Sequence, residues 1–230
     1  MSDNPKLVLF DVDGTLISAG RAARESIVSA LRSVLGWEGS SDGIDFSGKT
    51  DPQILRELVL DAVGSERFES TLGAVLDRYV EELERRLRPE AVVPKPGVAL
   101  LLERLEAEPD VTLALLTGNI ERGARMKLQP PGFNRYFSFG AFGDDSPDRY
   151  FLPAIAVGRA RERTGREFSG RSIVIIGDSV HDVACGRSLG ACAIAVATGP
   201  TAPEKLAAER PDALFTDFSD VDAAAEAILR

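Results

Sequence analysis

The sequence predicts an α/β fold: a doubly wound parallel sheet with a small α-helical domain inserted after the first strand. Three observations lead there. Short apolar runs recur along the chain and each stops at small or polar residues, the pattern of strands buried on both faces. Helical stretches alternate with those runs over the second half, as strand–helix–strand crossovers require. Between the first run and the second lies a long segment with helical periodicity and no strand.

Leu7, Val8, Leu9 and Phe10 make the first strand, followed by Asp11, Val12, Asp13, Gly14 and Thr15. Ligands of an open parallel sheet lie beyond the carboxyl ends of its strands. This strand therefore delivers Asp11 and Asp13 to that rim, and Gly14 permits a tight turn away from it. Ile27, Ala30, Leu31, Val34 and Leu35 then recur at helical spacing until Gly36 ends the run. Thr50 or Asp51 caps a second helix, with Pro52 in its first turn and Ile54, Leu55, Leu58, Val59 and Ala62 continuing it. Leu72, Val75, Leu76, Tyr79, Val80, Leu83 and Leu87 mark a third. The three helices can cover one another as a small bundle. Val92, Val93, Pro94, Lys95, Pro96 and Gly97 read as a linker back to the sheet. Residues 1–15 and 94–230 then form the sheet domain, and 16–93 the helical insertion.

Beyond the linker a helix over 98–107 precedes a strand over 112–116, which ends at Thr117, Gly118 and Asn119. A helix follows Asn119, and 137–142 reads as a further short strand. A helix over 150–164 leads to the strand Ile173, Val174, Ile175 and Ile176, which ends at Gly177, Asp178 and Ser179, with Asp182 four residues after Asp178. Residues 193–196 and 213–215 supply two last parallel strands.

At 230 residues the chain has ample material to bury a core in one large domain or two modest ones. A net charge of −9 argues against a nucleic-acid partner, which needs Lys/Arg neutralisation. A small anionic substrate is still admissible, because a metal and a few local cations override the global sign. Met1 to Pro5 lack the basic and apolar regions of a signal peptide, and no apolar run reaches membrane-spanning length. The two cysteines, Cys185 and Cys192, follow no metal or redox spacing and read as buried free thiols. A cytoplasmic protein, a monomer or weak homodimer, is expected. The single histidine, His181, reads as a polar residue at a strand-to-helix junction.

In a parallel sheet the ends of all these strands lie on one edge, so Asp11, Asp13, Thr117 and Asp178 converge. Carboxylates gathered this way repel unless a cation sits among them. An oxygen-only cluster favours a hard ion such as Mg²⁺, with waters and substrate phosphate completing its shell. Thr117 and the backbone N–H groups of Gly118 and Asn119 suit a phosphate oxygen where a helix begins. This convergence points to phosphoryl chemistry with Mg²⁺ on a small phosphorylated metabolite.

The segments 11–15, 117–119 and 177–182 resemble motifs one, two and four of the haloacid dehalogenase superfamily, in order and spacing, over essentially the whole chain. The resemblance implies that Asp11 is a nucleophile that becomes phosphorylated and Asp13 a general acid/base. It also implies that Asp178 holds Mg²⁺ with Asp11 and the backbone carbonyl of Asp13, with Asp182 behind them. The insertion resembles the helical cap of the superfamily, and 48–51 (Gly-Lys-Thr-Asp) resembles a cap segment of phosphoglycolate-phosphatase-like and β-phosphoglucomutase-like members. Lys49 either meets a second anionic group of the substrate or is a solvated surface lysine. Trp37 either lines the cleft or packs within the cap.

The chain departs from the superfamily where a lysine is usual, ahead of the helix that precedes motif four. Residues 143–150 (Gly-Asp-Asp-Ser-Pro-Asp-Arg-Tyr) contain none. Arg149 and Lys127 are the two substitutes. With Ser146 as cap and Pro147 opening the helix, Arg149 falls in the first turn, where it opposes the helix dipole and wants an anion. Lys127 lies two turns along its helix, roughly 12 Å beyond the start, so Arg149 is the better placed. The favoured activity is a Mg²⁺-dependent phosphatase. A phosphosugar mutase using the same residues is the alternative, and a non-catalytic phosphate-binding module a third.

Overall fold

The computed structural model describes residues 5–230; of the amino-terminal segment discussed above, residues 1–4 lie outside that range. Its centre is a six-stranded sheet in the order β5-β4-β1-β6-β7-β8, and every neighbouring pair is parallel. The strands are β1 (Lys6–Phe10), β4 (Val111–Leu116), β5 (Gly140–Ala141), β6 (Ile173–Gly177), β7 (Cys192–Val196) and β8 (Ala213–Phe215). Helices α4 (Val98–Glu106), α5 (Glu121–Leu128), α6 (Leu152–Thr164), α7 (Val180–Cys185), α8 (Pro203–Ala208) and α9 (Val221–Leu229) accompany them.

The unbroken apolar runs have a direct cause in two-sided burial. Along β1, Val8 and Phe10 pack with α4, α5 and α9 on one face, while Leu7 and Leu9 pack with α6 on the other. Leu113 and Leu115 against Ala114 and Leu116 repeat this in β4, as do Val174 and Ile176 against Ile173 and Ile175 in β6. Successive side chains of a strand point to opposite faces, so a sheet covered on both sides needs apolar residues at every position.

The inserted segment is helical, as expected: α1 (Ala22–Leu35), α2 (Asp51–Val63) and α3 (Ser65–Arg86). Ile27, Leu31, Leu55, Val59, Tyr79 and Leu83 share one apolar cluster separate from the two on the sheet, joined from the sheet side by Ile120. Gly36 closes α1 in the left-handed conformation, with φ 67°. Thr50 caps α2 by accepting from the Gln53 amide, and Asp51 takes the first helical position. Trp37 packs against this helical cluster.

Three local readings change. The linker contains a strand, β3 (Val93–Pro94), which pairs antiparallel with β2 (Ile17–Ser18), so both crossings into the insertion run side by side. Residues 137–142 yield only the two-residue β5. Asp148 rather than Ser146 caps the turn at Arg149, its side chain accepting from the Tyr150 amide. Cys185 and Cys192 are buried free thiols. Among the described residues no helix is long and apolar enough to cross a membrane.

Candidate active site

Register aligns the strand ends. Phe10 pairs with Leu115 on one side and Ile176 on the other, so the residues that follow all three strands emerge on one edge. They line a cleft of about 510 Å³ between the sheet and the helical insertion, within the size range of small-molecule sites. Two tight approaches shape its floor. Gly14 has φ 89°, and a Cβ there would lie 2.5 Å from an Asp178 carboxylate oxygen. A side chain at Gly118 would collide with the Lys49 carbonyl.

Asp11 is buried at the bottom. Arg149 Nη2 donates to Asp11 Oδ1 at 3.1 Å and to the Leu116 carbonyl at 3.3 Å, and also bonds Asp182 Oδ1. Burial, with the negative charge of Asp182 and Asp13, raises the Asp11 pKa to about 7 despite the opposing pull of Arg149. Asp178 is pushed well up by burial, Asp11 and Asp182, and accepts from Thr15 Oγ1 at 3.1 Å. Burial opposes the charge on Arg149, but Asp182 and Asp11 outweigh it and keep the guanidinium protonated. Its buried Nε–H has no nitrogen or oxygen acceptor among the described residues, and the guanidinium lies against the Cys185 thiol.

Asp13 stands apart from this group. Its side chain is 42% exposed, and Oδ2 accepts from Lys127 Nζ at 2.6 Å and from Asn119 Nδ2 at 2.8 Å. Asn119 Oδ1 accepts from Lys127 Nζ at 2.6 Å, and Asn119 Nδ2 also donates to Thr117 Oγ1 at 2.8 Å. These bonds leave Asp13 Oδ1 for other work. The Asn119 amide also reaches Thr117 Oγ1, at 3.3 Å, so Gly118 carries the one amide of that turn with no protein acceptor among the described residues.

Asp11, Asp178 and Asp182 each bring one carboxylate oxygen to within 4.8 Å of the others. Asp182 is already engaged: Oδ1 takes Arg149, and Oδ2 takes the Ser179 amide at 2.9 Å and hydroxyl at 2.6 Å. Asp11 and Asp178 each keep Oδ2 without a donor among the described residues and could hold a hard cation, while Asp182 fixes Arg149 behind them. An oxygen-only set whose members raise one another's pKa is chemically suited to a divalent ion.

The sequence profile of the haloacid dehalogenase-like hydrolases matches residues 8–187. The chain belongs to that family. Relatives of this hydrolase include the probable phosphatase IndB of Dickeya dadantii, 26% identical over 97% of this chain and 95% of its own. A phosphoglycolate phosphatase of Agrobacterium fabrum is 26% identical over 93% and 89%. Among solved structures, one named as a predicted phosphoglycolate phosphatase from Haemophilus somnus superposes with a TM-score of 0.72 at 23% identity, covering 97% of this chain and 99% of that one. Another, provisionally a β-phosphoglucomutase from Bacteroides vulgatus, gives 0.69 at 21% identity, covering 98% and 89%. At such identities the two structures speak for the fold.

In this hydrolase Arg149 lies in a single 3₁₀ turn (149–151) rather than in the first turn of a helix, and it pairs with Asp11 and Asp182. Lys127 requires a correction. Its place two turns along α5 points it away from the strand edge, yet it is 2% exposed and reaches Asp13. Helical side chains lean toward the N-terminus, so a long stem from the second turn of α5 returns to the strand edge. The available signal was its face: Lys127 shares the buried stripe of Ile120, Gly123, Ala124 and Leu128. Lys49 is bound to Glu57 Oε2 at 2.5 Å although it lines the cleft. Asp51, read only as a capping candidate, is buried and accepts from the Ile120 amide at 2.9 Å.

Proposed function

We propose that this hydrolase is a Mg²⁺-dependent phosphomonoesterase that acts on a small phosphorylated metabolite through a phosphoryl group carried on Asp11. The observation that carries the reading is the separation of two carboxylates two residues apart. Asp11 is buried among Arg149, Asp178 and Asp182, whereas Asp13 stands at the cleft wall with one oxygen fixed by Lys127 and Asn119. One is placed to attack phosphorus and the other to move a proton. Phosphatase-named relatives that align over nearly the whole chain support the same reaction class.

Phosphate-monoester hydrolysis needs barrier reductions approaching about 28 kcal/mol, so several effects must act together. An Asp11 oxygen forms a bond to phosphorus as the ester P–O bond breaks, and Asp13 gives its proton to the departing alkoxide. Water then attacks the phosphorus of the aspartyl-phosphate, Asp13 takes the proton, and Asp11 is released. Arg149 supplies fixed positive charge beside the transferring group. Thr117 and Gly118 offer a hydroxyl and an amide to the phosphoryl oxygens. Asp11, Asp178 and the Asp13 carbonyl would hold Mg²⁺, which supplies charge neutralisation so that two anions can approach. Residues 16–93 act as a lid over this site, and its closure excludes water from the reacting groups. We place the activity in the cytoplasm, where buried unpaired Cys185 and Cys192 are at home.

Asp13→Asn separates the two steps. On p-nitrophenyl phosphate, whose leaving group needs no proton, the variant gives a burst of nitrophenol followed by slow turnover. On ethyl phosphate both the burst and the turnover are lost. Equal burst behaviour on the two esters contradicts the role of Asp13. Phosphoryl transfer to a sugar in place of phosphate release favours the mutase alternative.

A further inference from the structure

Five cations line the cleft, and their partners differ. Arg149 and Lys127 serve Asp11 and Asp13, and Lys49 is neutralised by Glu57. Arg24 spends its guanidinium on the Ser41 and Ile44 carbonyls, at 2.7 and 2.9 Å, and stacks on Phe46 at 3.8 Å. Lys95 spends one of its donors, on a neutral acceptor. Its Nζ donates to the Thr198 carbonyl at 2.7 Å, and among the described residues it has no carboxylate partner. A half-buried ammonium with three donors and one neutral acceptor has capacity for an anion.

Its mounting fits that use. The Lys95 amide donates to the Leu16 carbonyl at 2.9 Å, directly after the β2–β3 pair, so the residue belongs to the hinge rather than to the helices. Thr198 in turn donates from Oγ1 to the Gly14 carbonyl at 2.6 Å, which ties Lys95 to the loop carrying Asp13. A cation fixed there keeps its place relative to the strand edge wherever the insertion stands.

We propose that Lys95 is the substrate-selecting cation of the cleft, receiving an anionic group on the alcohol portion of the phosphomonoester. The proposal rests on the phosphomonoesterase reading above and moves charge recognition from Lys49 to Lys95. The favoured substrates are phosphorylated hydroxy acids and other esters with a second negative charge.

The test compares phosphoglycolate with ethyl phosphate, which has the same two-carbon length and no carboxylate. Lys95→Met raises KM for phosphoglycolate roughly ten- to a hundredfold, the usual effect of losing a bond to a charged group, and shifts the ratio of the two kcat/KM values by the same factor. Calorimetry of phosphoglycolate binding to the non-turning-over Asp11→Asn protein gives a matching rise in Kd when Lys95→Met is added. Equal losses on both esters would place Lys95 at the phosphoryl group and overturn the proposal. So would a selective KM effect in Lys49→Met with none in Lys95→Met. If the unmodified enzyme releases phosphate from neither ester nor from any other phosphomonoester, the phosphomonoesterase reading fails first. If it does release phosphate and selectivity is unchanged in Lys95→Met, only the present inference fails.

Discussion

Asp13 Oδ2 accepts from both Lys127 and Asn119, and those two also bond each other, so the carboxyl is held by a closed triangle. Arg149 is held with comparable care on the other side of the site by Asp182. On the proposed mechanism the two cations divide the work: Arg149 pairs with Asp11, the proposed nucleophile, and Lys127 with Asp13, the proposed proton-transfer group. Arg149→Ala should lower kcat on the order of 10²–10³-fold, as loss of one charge-stabilising donor does. Lys127→Met should also lower kcat by about 10²-fold, with the larger effect on ethyl phosphate than on p-nitrophenyl phosphate, because only the former needs a proton delivered. Steady-state kinetics on both esters checks this. A Lys127→Met enzyme with unimpaired turnover of ethyl phosphate would remove the residue from the mechanism. Asp11, Asp13 and Asp178 are legible in the sequence because they lie within three residues of the end of an apolar run, after Phe10 or Ile176. Distance along the helix axis misplaces Lys127, because its side chain leans back toward the helix N-terminus. Lys95 was hidden in a segment that reads as a proline-rich linker.

At the scale of elements, the start of α2 is the joint between insertion and sheet. The Asp51 amide donates to the Gly118 carbonyl at 2.7 Å, its carboxylate accepts from the Ile120 amide, and Thr50 Oγ1 donates to the Pro147 carbonyl at 2.7 Å. Burial raises the Asp51 pKa from 3.8 to about 6, against the pull of Lys127 and the Ile120 amide, with Asp13 and Asp144 adding to the rise. A carboxyl whose folded pKa exceeds its unfolded value stabilises the fold below the unfolded pKa, and that contribution is lost as pH rises through the folded one. The difference corresponds to roughly 3 kcal/mol at neutral pH. Asp51→Asn keeps an acceptor for Ile120 without the charge. Its Tm relative to the unmodified protein should therefore climb by several degrees as pH goes from about 4 to 7.5. A difference in Tm that stays flat across this range would show that Asp51 does not titrate in the joint. The capping residue of α2 was readable from Thr50, Asp51 and Pro52, whereas the docking of Asp51 on the Thr117–Asn119 turn depends on residues more than sixty positions apart. The two-residue ladder of β2 and β3 is too short to carry a periodic signal.

Across the whole molecule, the parallel order β4-β1-β6 is what gathers residues 11, 117 and 178 on one edge. The fold class followed from apolar runs without alternation, since burial on both faces leaves no polar positions. The net charge of −9 is overridden locally, because the cleft concentrates Arg24, Lys49, Lys95, Lys127 and Arg149 around its carboxylates. The proposed mechanism passes the phosphoryl group through Asp11. The direct measurement is acid quenching of the Asp13→Asn protein during reaction with p-nitrophenyl phosphate and Mg²⁺, followed by peptide mapping. One phosphoryl group is expected on Asp11, absent with chelator and absent when Asp11→Asn is also present. Nitrophenol release with Asp11 unlabelled, or with the phosphoryl group on another residue, would contradict it.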